Sequence, residues 1–185
     1  LLQPAVDGGA DGIAVDECRR AVALDHLRAR HLGDPRRVEL DVGPVQAYWE
    51  AHMDLLADQP PLDLLDRNWV IHTRSEERPP VNIRTGAVVA HSLITDGCVI
   101  EGTVEYSVLS PGVKVGRGAV VRNSIVLTDT VIENGAIVDR AIIDKQCLIR
   151  QNAHVGYGVD YSANPVGDLT SGISLMGKNA IVPEN

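Results

Sequence analysis

Residues Leu109–Val155 read LSPGVKVGRGAVVRNSIVLTDTVIENGAIVDRAIIDKQCLIRQNAHV, and this stretch decides the fold. Aliphatic residues recur at a six-residue step: Leu109, Val115 and Val121, then Ile132 and Val138, then Ile143, Ile149 and Val155, with a slip of one residue between groups. The position after the aliphatic is often Gly, Asp or Glu (Gly116, Glu133, Asp139, Asp144), and position five is small or apolar (Ala119, Ile125, Ala136, Ile142, Cys147, Ala153). Three short strands forming one triangular coil would produce this pattern. Each edge turns one aliphatic side chain inward and needs a small residue at the tight corner, so identical positions stack from coil to coil. At about 18 residues per coil, the chain from about Arg84 to Val155 holds roughly four coils. An antiparallel sandwich also uses short strands, but its turn signals fall every ~8–12 residues rather than at a step of six. The expected fold is mainly β: a left-handed parallel β-helix of hexapeptide repeats.

Composition agrees. The chain has 185 residues, 44% of them apolar, yet no Phe and only six aromatics, Tyr48, Trp49, Trp69, Tyr106, Tyr157 and Tyr161. Val, Ile and Leu suit the narrow, regular interior of stacked strands, whereas large irregular cores recruit rings. Net charge is -8 and the only lysines are Lys114, Lys145 and Lys178, so no basic stripe is available to neutralise a nucleic-acid backbone. No apolar run reaches the ~20 residues of a membrane span and no signal-peptide pattern opens the sequence, which together point to a cytoplasmic protein. Cys18, Cys98 and Cys147 are odd in number and lack CxxC spacing, so neither a disulfide framework nor a zinc site is suggested. Cys147 falls where the repeat wants a small buried residue.

Outside the repeat, residues 1–57 read as helix and loop, with Asp16 as a candidate N-cap before Cys18, Ala21, Val22, Leu24 and Leu27. A second helix is clearer. Gly43-Pro44 offers a start, and Val45, Tyr48, Trp49, His52, Met53 and Leu56 form one stripe at helical spacing, the Tyr-Trp pair reading as packing. Residues 58–83 hold Pro60-Pro61 and Pro79-Pro80, which exclude a continuous helix and mark an extended linker, with a short strand ending near His72. Residues 84–185 then form the β-helix and its C-terminal cap, reached through the Gly-, Asn- and Pro-rich run after Gly156.

The combination LDVGPVQAYWEAHMDLL (Leu40–Leu56), LDLLDRNWVIHT (Leu62–Thr73), RPPVNI, AIIDK (Ala141–Lys145) and SGISLMGK (Ser171–Lys178), in this order, resembles glucose-1-phosphate adenylyltransferase over roughly residues 38–183. The resemblance is to the C-terminal portion of that family. It implies that residues 1–57 are a helical remnant of an α/β nucleotidyltransferase domain. The family's phosphate loop, GGxGTRLxPLT, whose backbone amides would cradle nucleotide phosphates, does not occur in these residues, so the chain alone is expected to be inactive.

The parent reaction implied is ATP plus glucose 1-phosphate giving ADP-glucose and pyrophosphate, with Mg²⁺ neutralising the developing charge. Asp41 matches the metal-binding aspartate of the family's W-x-D-V-G motif, although Glu39-Leu40 stands where an aromatic and a basic residue are usual. A single hard carboxylate suits Mg²⁺, which keeps several waters. Lys145 and Lys178 match lysines that hold anionic metabolite effectors in plant-type members, and Arg140 falls where some bacterial members place an arginine for a nucleotide inhibitor. A cationic point charge at a corner suits phosphate. A homo-oligomer is the further expectation. Three readings compete: a degenerate, non-catalytic regulatory or scaffold protein; a hexapeptide acyltransferase using His91 or His154 as base; and a zinc hydratase, which would need three converging histidines.

Overall fold

The computed structural model describes residues 45–62, 64, 77–156 and 172–185. Two compact units divide the chain, Leu1–Tyr48 and Trp49–Asn185. Of the first, only Val45–Tyr48, the start of helix α1 (Val45–Asp54), is among the described residues. The expected helix after Asp16, the strand near His72 and the metal-binding Asp41 all lie outside them. Most of the helical stripe is as expected, Tyr48, Trp49, His52 and Met53 being partly buried and Leu56, just past the helix, buried, but Val45 at its start is exposed.

In the second unit three parallel sheets each take every third strand. The first holds β1 (Asn82–Ile83), β4 (Val99–Ile100), β7 (Lys114–Val115), β10 (Val131–Ile132), β13 (Leu148–Ile149) and β16 (Ile181–Val182). The second holds β2 (Val88–Ala90), β5 (Thr103–Glu105), β8 (Val120–Arg122), β11 (Ile137–Asp139) and β14 (His154–Val155). β3 (Leu93–Ile94), β6 (Val108–Leu109), β9 (Ile125–Val126), β12 (Ala141–Ile143) and β15 (Ser174–Met176) make the third. Such an order is a parallel β-helix, one strand per face per turn.

Register explains the slipped step. Lys114 pairs with Val131 and Val131 with Leu148, so a coil takes 17 residues rather than 18. The short edge runs from the second sheet to the third, where Val120 and Ile125 occupy equivalent positions five residues apart. One coil is shorter still, because Val99 pairs with Lys114 after 15 residues. There Gly102 is required: a Cβ would collide with the carbonyl of Ala119 in the next coil.

Every aliphatic read from the six-residue step is buried, Leu109, Val115, Val121, Ile132, Val138, Ile143, Ile149 and Val155 all belonging to one interior cluster. Cys147, Ala119, Ala136 and Ala153 fill the small positions as expected. Ile125 and Ile142 do not. They face outward on the third sheet, their neighbours Val126 and Ile143 pointing in, because the five-residue edge shifts the alternation by one. Ile125 is nevertheless buried, as are Leu127 and Ile173, so the outer face of the third sheet is not a solvent face.

The short edge leaves buried backbone groups to satisfy, and a serine ladder does so. Ser92, Ser107 and Ser124 donate their hydroxyls to the carbonyls two residues back, those of Ala90, Glu105 and Arg122, at 2.6–2.7 Å. The same oxygens accept the amides of Ser107, Ser124 and Ala141 from the next coil at 3.1–3.2 Å. Each hydroxyl thereby joins two coils.

Candidate functional site

Corners, not strands, carry the chemistry. At the turn from the third sheet to the first, Ile143 pairs with Met176, which places Lys145 level with Lys178 on neighbouring coils; the amide of Asn179 donates to the Lys145 carbonyl at 3.0 Å. Adjacent parallel strands lie about 4.8 Å apart, so the two side chains leave the surface as near neighbours. Lys145 is partly buried and Lys178 exposed. Two lysines 33 apart in sequence thus stand at equivalent positions on neighbouring coils.

Asp144 lies beside this pair. It is buried, its carbonyl accepts the Thr130 hydroxyl at 2.9 Å, and its carboxylate oxygen Oδ2 has no hydrogen-bond partner. Cys147 is packed nearby with its Sγ 3.2 Å from the Gly177 carbonyl; burial pushes its thiol up, and the Asp144 charge adds to the effect. A raised, buried thiol is a packing residue rather than a nucleophile. Cys98 is likewise buried with its thiol pushed up.

In earlier coils of the same corner, the guanidinium of Arg78 spans Gly97 and Gly112 to meet the Asp129 carboxylate in a two-pronged bond, 2.6 and 3.1 Å. A Cβ on Gly112 would collide with both partners. Arg78 holds the Asp129 carboxyl below its ordinary range, with Lys114 contributing.

Arg140 stands elsewhere, at the corner between the second and third sheets. Its guanidinium carbon lies 4.7 Å from the centre of the Trp49 ring, and the indole N–H donates to the Asn123 carbonyl at 2.8 Å. The three candidate cations therefore do not converge: Lys145 and Lys178 form one group, and Arg140 sits at the other end of strand β12. In the sequence Trp49 reads only as packing. Its partner is a backbone carbonyl 74 residues away, which leaves no mark in the sequence.

The histidines of the acyltransferase reading have other surroundings. His91 stacks flat on Tyr106, centroids 4.8 Å apart and planes 5° from parallel, with its Nδ1 4.0 Å from Asp58. His154 is exposed on the second sheet. No group of three metal-ligating side chains occurs among the described residues, and no helix among them is long and apolar enough to cross a membrane. On the first sheet, a shallow groove of about 470 Å³ lies between Glu101, Lys114, Glu133 and Gln151. Its carboxylates are engaged, Glu101 by Arg84 and Arg117, and Glu133 by the Gln151 amide.

A coil of this repeat, with this register, defines the class. Residues 81–176 match the model of the GlmU-like C-terminal hexapeptide family, and the chain belongs to it. More particularly, it is 59% identical over 146 residues, 77% of its length, to a glucose-1-phosphate adenylyltransferase of Thermomicrobium roseum, of which it covers 34%. It is 38% identical over 143 residues to the enzyme of that name from Desulforamulus reducens (77% of this chain, 35% of the relative). Over 82 residues it is 52% identical to that of Geobacillus stearothermophilus (44% and 21%). The chain spans about a third of the length of the first two relatives and matches their C-terminal portion.

Proposed function

We propose that the chain is the C-terminal part of a glucose-1-phosphate adenylyltransferase of glycogen biosynthesis, carrying the module that binds an anionic effector and joins subunits. The observation that carries this reading is the pairing of Lys145 with Lys178 on neighbouring coils. Two ammonium groups at coil spacing suit a phosphorylated metabolite better than either alone. In the intact cytoplasmic enzyme ATP and glucose 1-phosphate are the substrates, and Asp41 would supply a carboxylate to Mg²⁺. Exposed aliphatic side chains at both ends of the first sheet, Ile83 and Ile181, favour a homo-oligomer.

Two measurements test the reading. With ATP, glucose 1-phosphate and Mg²⁺ the 185-residue chain should release no pyrophosphate; turnover above the blank would show that these residues suffice for catalysis. Calorimetric titration with fructose 1,6-bisphosphate should show binding that weakens about tenfold or more, ~1.4 kcal/mol, in Lys145→Ala and again in Lys178→Ala. Affinity unchanged in both variants removes the effector site from this corner.

A further inference from the structure

In each described coil one residue at the corner between the second and third sheets takes a left-handed backbone conformation, with φ of 42° at His91, 44° at Tyr106, 49° at Asn123 and 48° at Arg140. At the other two corners the same duty falls mostly to residues that tolerate it, Gly86, Gly118, Gly135 and Asn152 at one, Gly97, Gly112, Asp129 and Asn179 at the other, with Gln146 (φ 59°) the one exception among the described residues. Asn123 and His91 tolerate such a φ, but Tyr106 and Arg140 keep it at a cost, and a function of the side chain is the usual reason.

Here the side chains meet one segment. Trp49 reaches Asn123 and Arg140 in the third and fourth coils, and Asp58 reaches His91 in the first. Nine residues of helix and turn advance about 13 Å, and two to three coils at about 4.8 Å span a similar distance. Segment 49–58 therefore runs along the corner ladder, bonded to it at Trp49 and close to it at Asp58. Strand β12 joins this corner to the lysine corner: Arg140 immediately precedes it, Lys145 follows two residues after its end, and Ala141 and Ile143 are buried between. β15 repeats the connection, the amide of Ser174 bonding to the Arg140 carbonyl at 3.0 Å and Lys178 following Met176 by two.

We propose that Arg140 and Trp49 form a latch that passes anion binding at the Lys145–Lys178 corner to the helix leading into the coil. The inference rests on the effector reading above. Drawing the two lysines onto one anion shifts β12 and β15 together, and the group these strands move at their other end is Arg140. A guanidinium on an indole face is a contact easily made and broken, so a small strand shift changes whether helix α1 is held. Asp41 stands eight residues before Trp49 in sequence, which makes α1 the direct covalent route toward the expected metal ligand. Arg140 is a positioning residue in this scheme and does not touch the effector.

Tryptophan emission tests it, on the full chain carrying Trp69→Phe so that Trp49 is the one remaining tryptophan. Fructose 1,6-bisphosphate should change Trp49 emission with the midpoint found by calorimetry. Arg140→Met should bind within about twofold of the parent while losing at least four-fifths of the emission change, and Arg140→Lys should restore part of it. Three results overturn the latch. Binding that depends on Lys145 with unmoved Trp49 emission leaves the effector site standing without this route. Affinity lost in Arg140→Met, with the circular dichroism of the parent, makes Arg140 a direct ligand instead. Absence of bisphosphate binding in the parent removes both the effector site and the latch.

Discussion

The second-to-third corner and the third-to-first corner use the same left-handed turn and fill it differently. Between the third and first sheets stand Gly97, Gly112, Asp129, Gln146 and Asn179, and Lys145 and Lys178 occupy the position before the last two. Between the second and third sheets stand His91, Tyr106, Asn123 and Arg140, each of the first three followed directly by a ladder serine, Ser92 partly buried and Ser107 and Ser124 buried. The first arrangement turns the chain cheaply. The second accepts strained residues because their side chains and carbonyls hold segment 49–58. A solenoid corner can therefore be read for function by asking which residue type has been tolerated at positive φ.

Both corners depend on the interior they enclose, so the largest effect should come from removing it. Ile132 is buried in the central part of the first sheet between Val115 and Ile149. Ile132→Ala should destabilise the coil by about 2–5 kcal/mol in denaturant unfolding and take both corners with it. The same truncation at Ile181, 61% exposed on the terminal strand, should fall within about 0.5 kcal/mol. Equal costs at the two positions would mean that the stack does not derive its stability from the enclosed ladder.

A single hydroxyl should separate the corners. Ser124→Ala leaves the buried Ala141 amide without its acceptor and should cost about 1–3 kcal/mol. The change sits at the latch corner, so Trp49 emission should shift toward a more solvated indole while the distant Arg78–Asp129 contact keeps its pH response. Loss of both together would show one cooperative unit with no corner-level independence.

The fold was legible because the interior demands one aliphatic residue per edge, and nothing else in a globular chain imposes a step of six. What escaped was direction. Ile125 and Ile142 look like small-position residues at the expected interval, yet one five-residue edge turns them outward while Val126 and Ile143 take the core. The slip was visible in the sequence, but which corner absorbed it depended on the serine bonds and left-handed residues, which are three-dimensional facts. Lys145, Lys178 and Arg140 were found through family resemblance, and their grouping was not. Lys145 and Arg140 are five apart and stand at different corners, whereas Lys145 and Lys178 are 33 apart and adjacent.

The smallest effect belongs to the Arg78–Asp129 bond on the cheap corner, and its sign is set by the direction of the carboxyl's shift. Arg78 lowers the Asp129 pKa in the folded chain, so the folded state favours the ionised form more than the unfolded chain does. The stabilisation is then complete above the unfolded value, near 3.8, and is lost as pH falls through the lower folded value. Asp129 is 43% exposed, and solvent screening limits the bond to roughly 0.2–1 kcal/mol. Asp129→Asn should cost that much at neutral pH and almost nothing at pH 2, when unfolding midpoints of the two proteins are compared. A difference that persists at pH 2 would assign the cost to packing over Gly112, since neutralising the carboxylate removes the ion pair and leaves the side chain's shape in place.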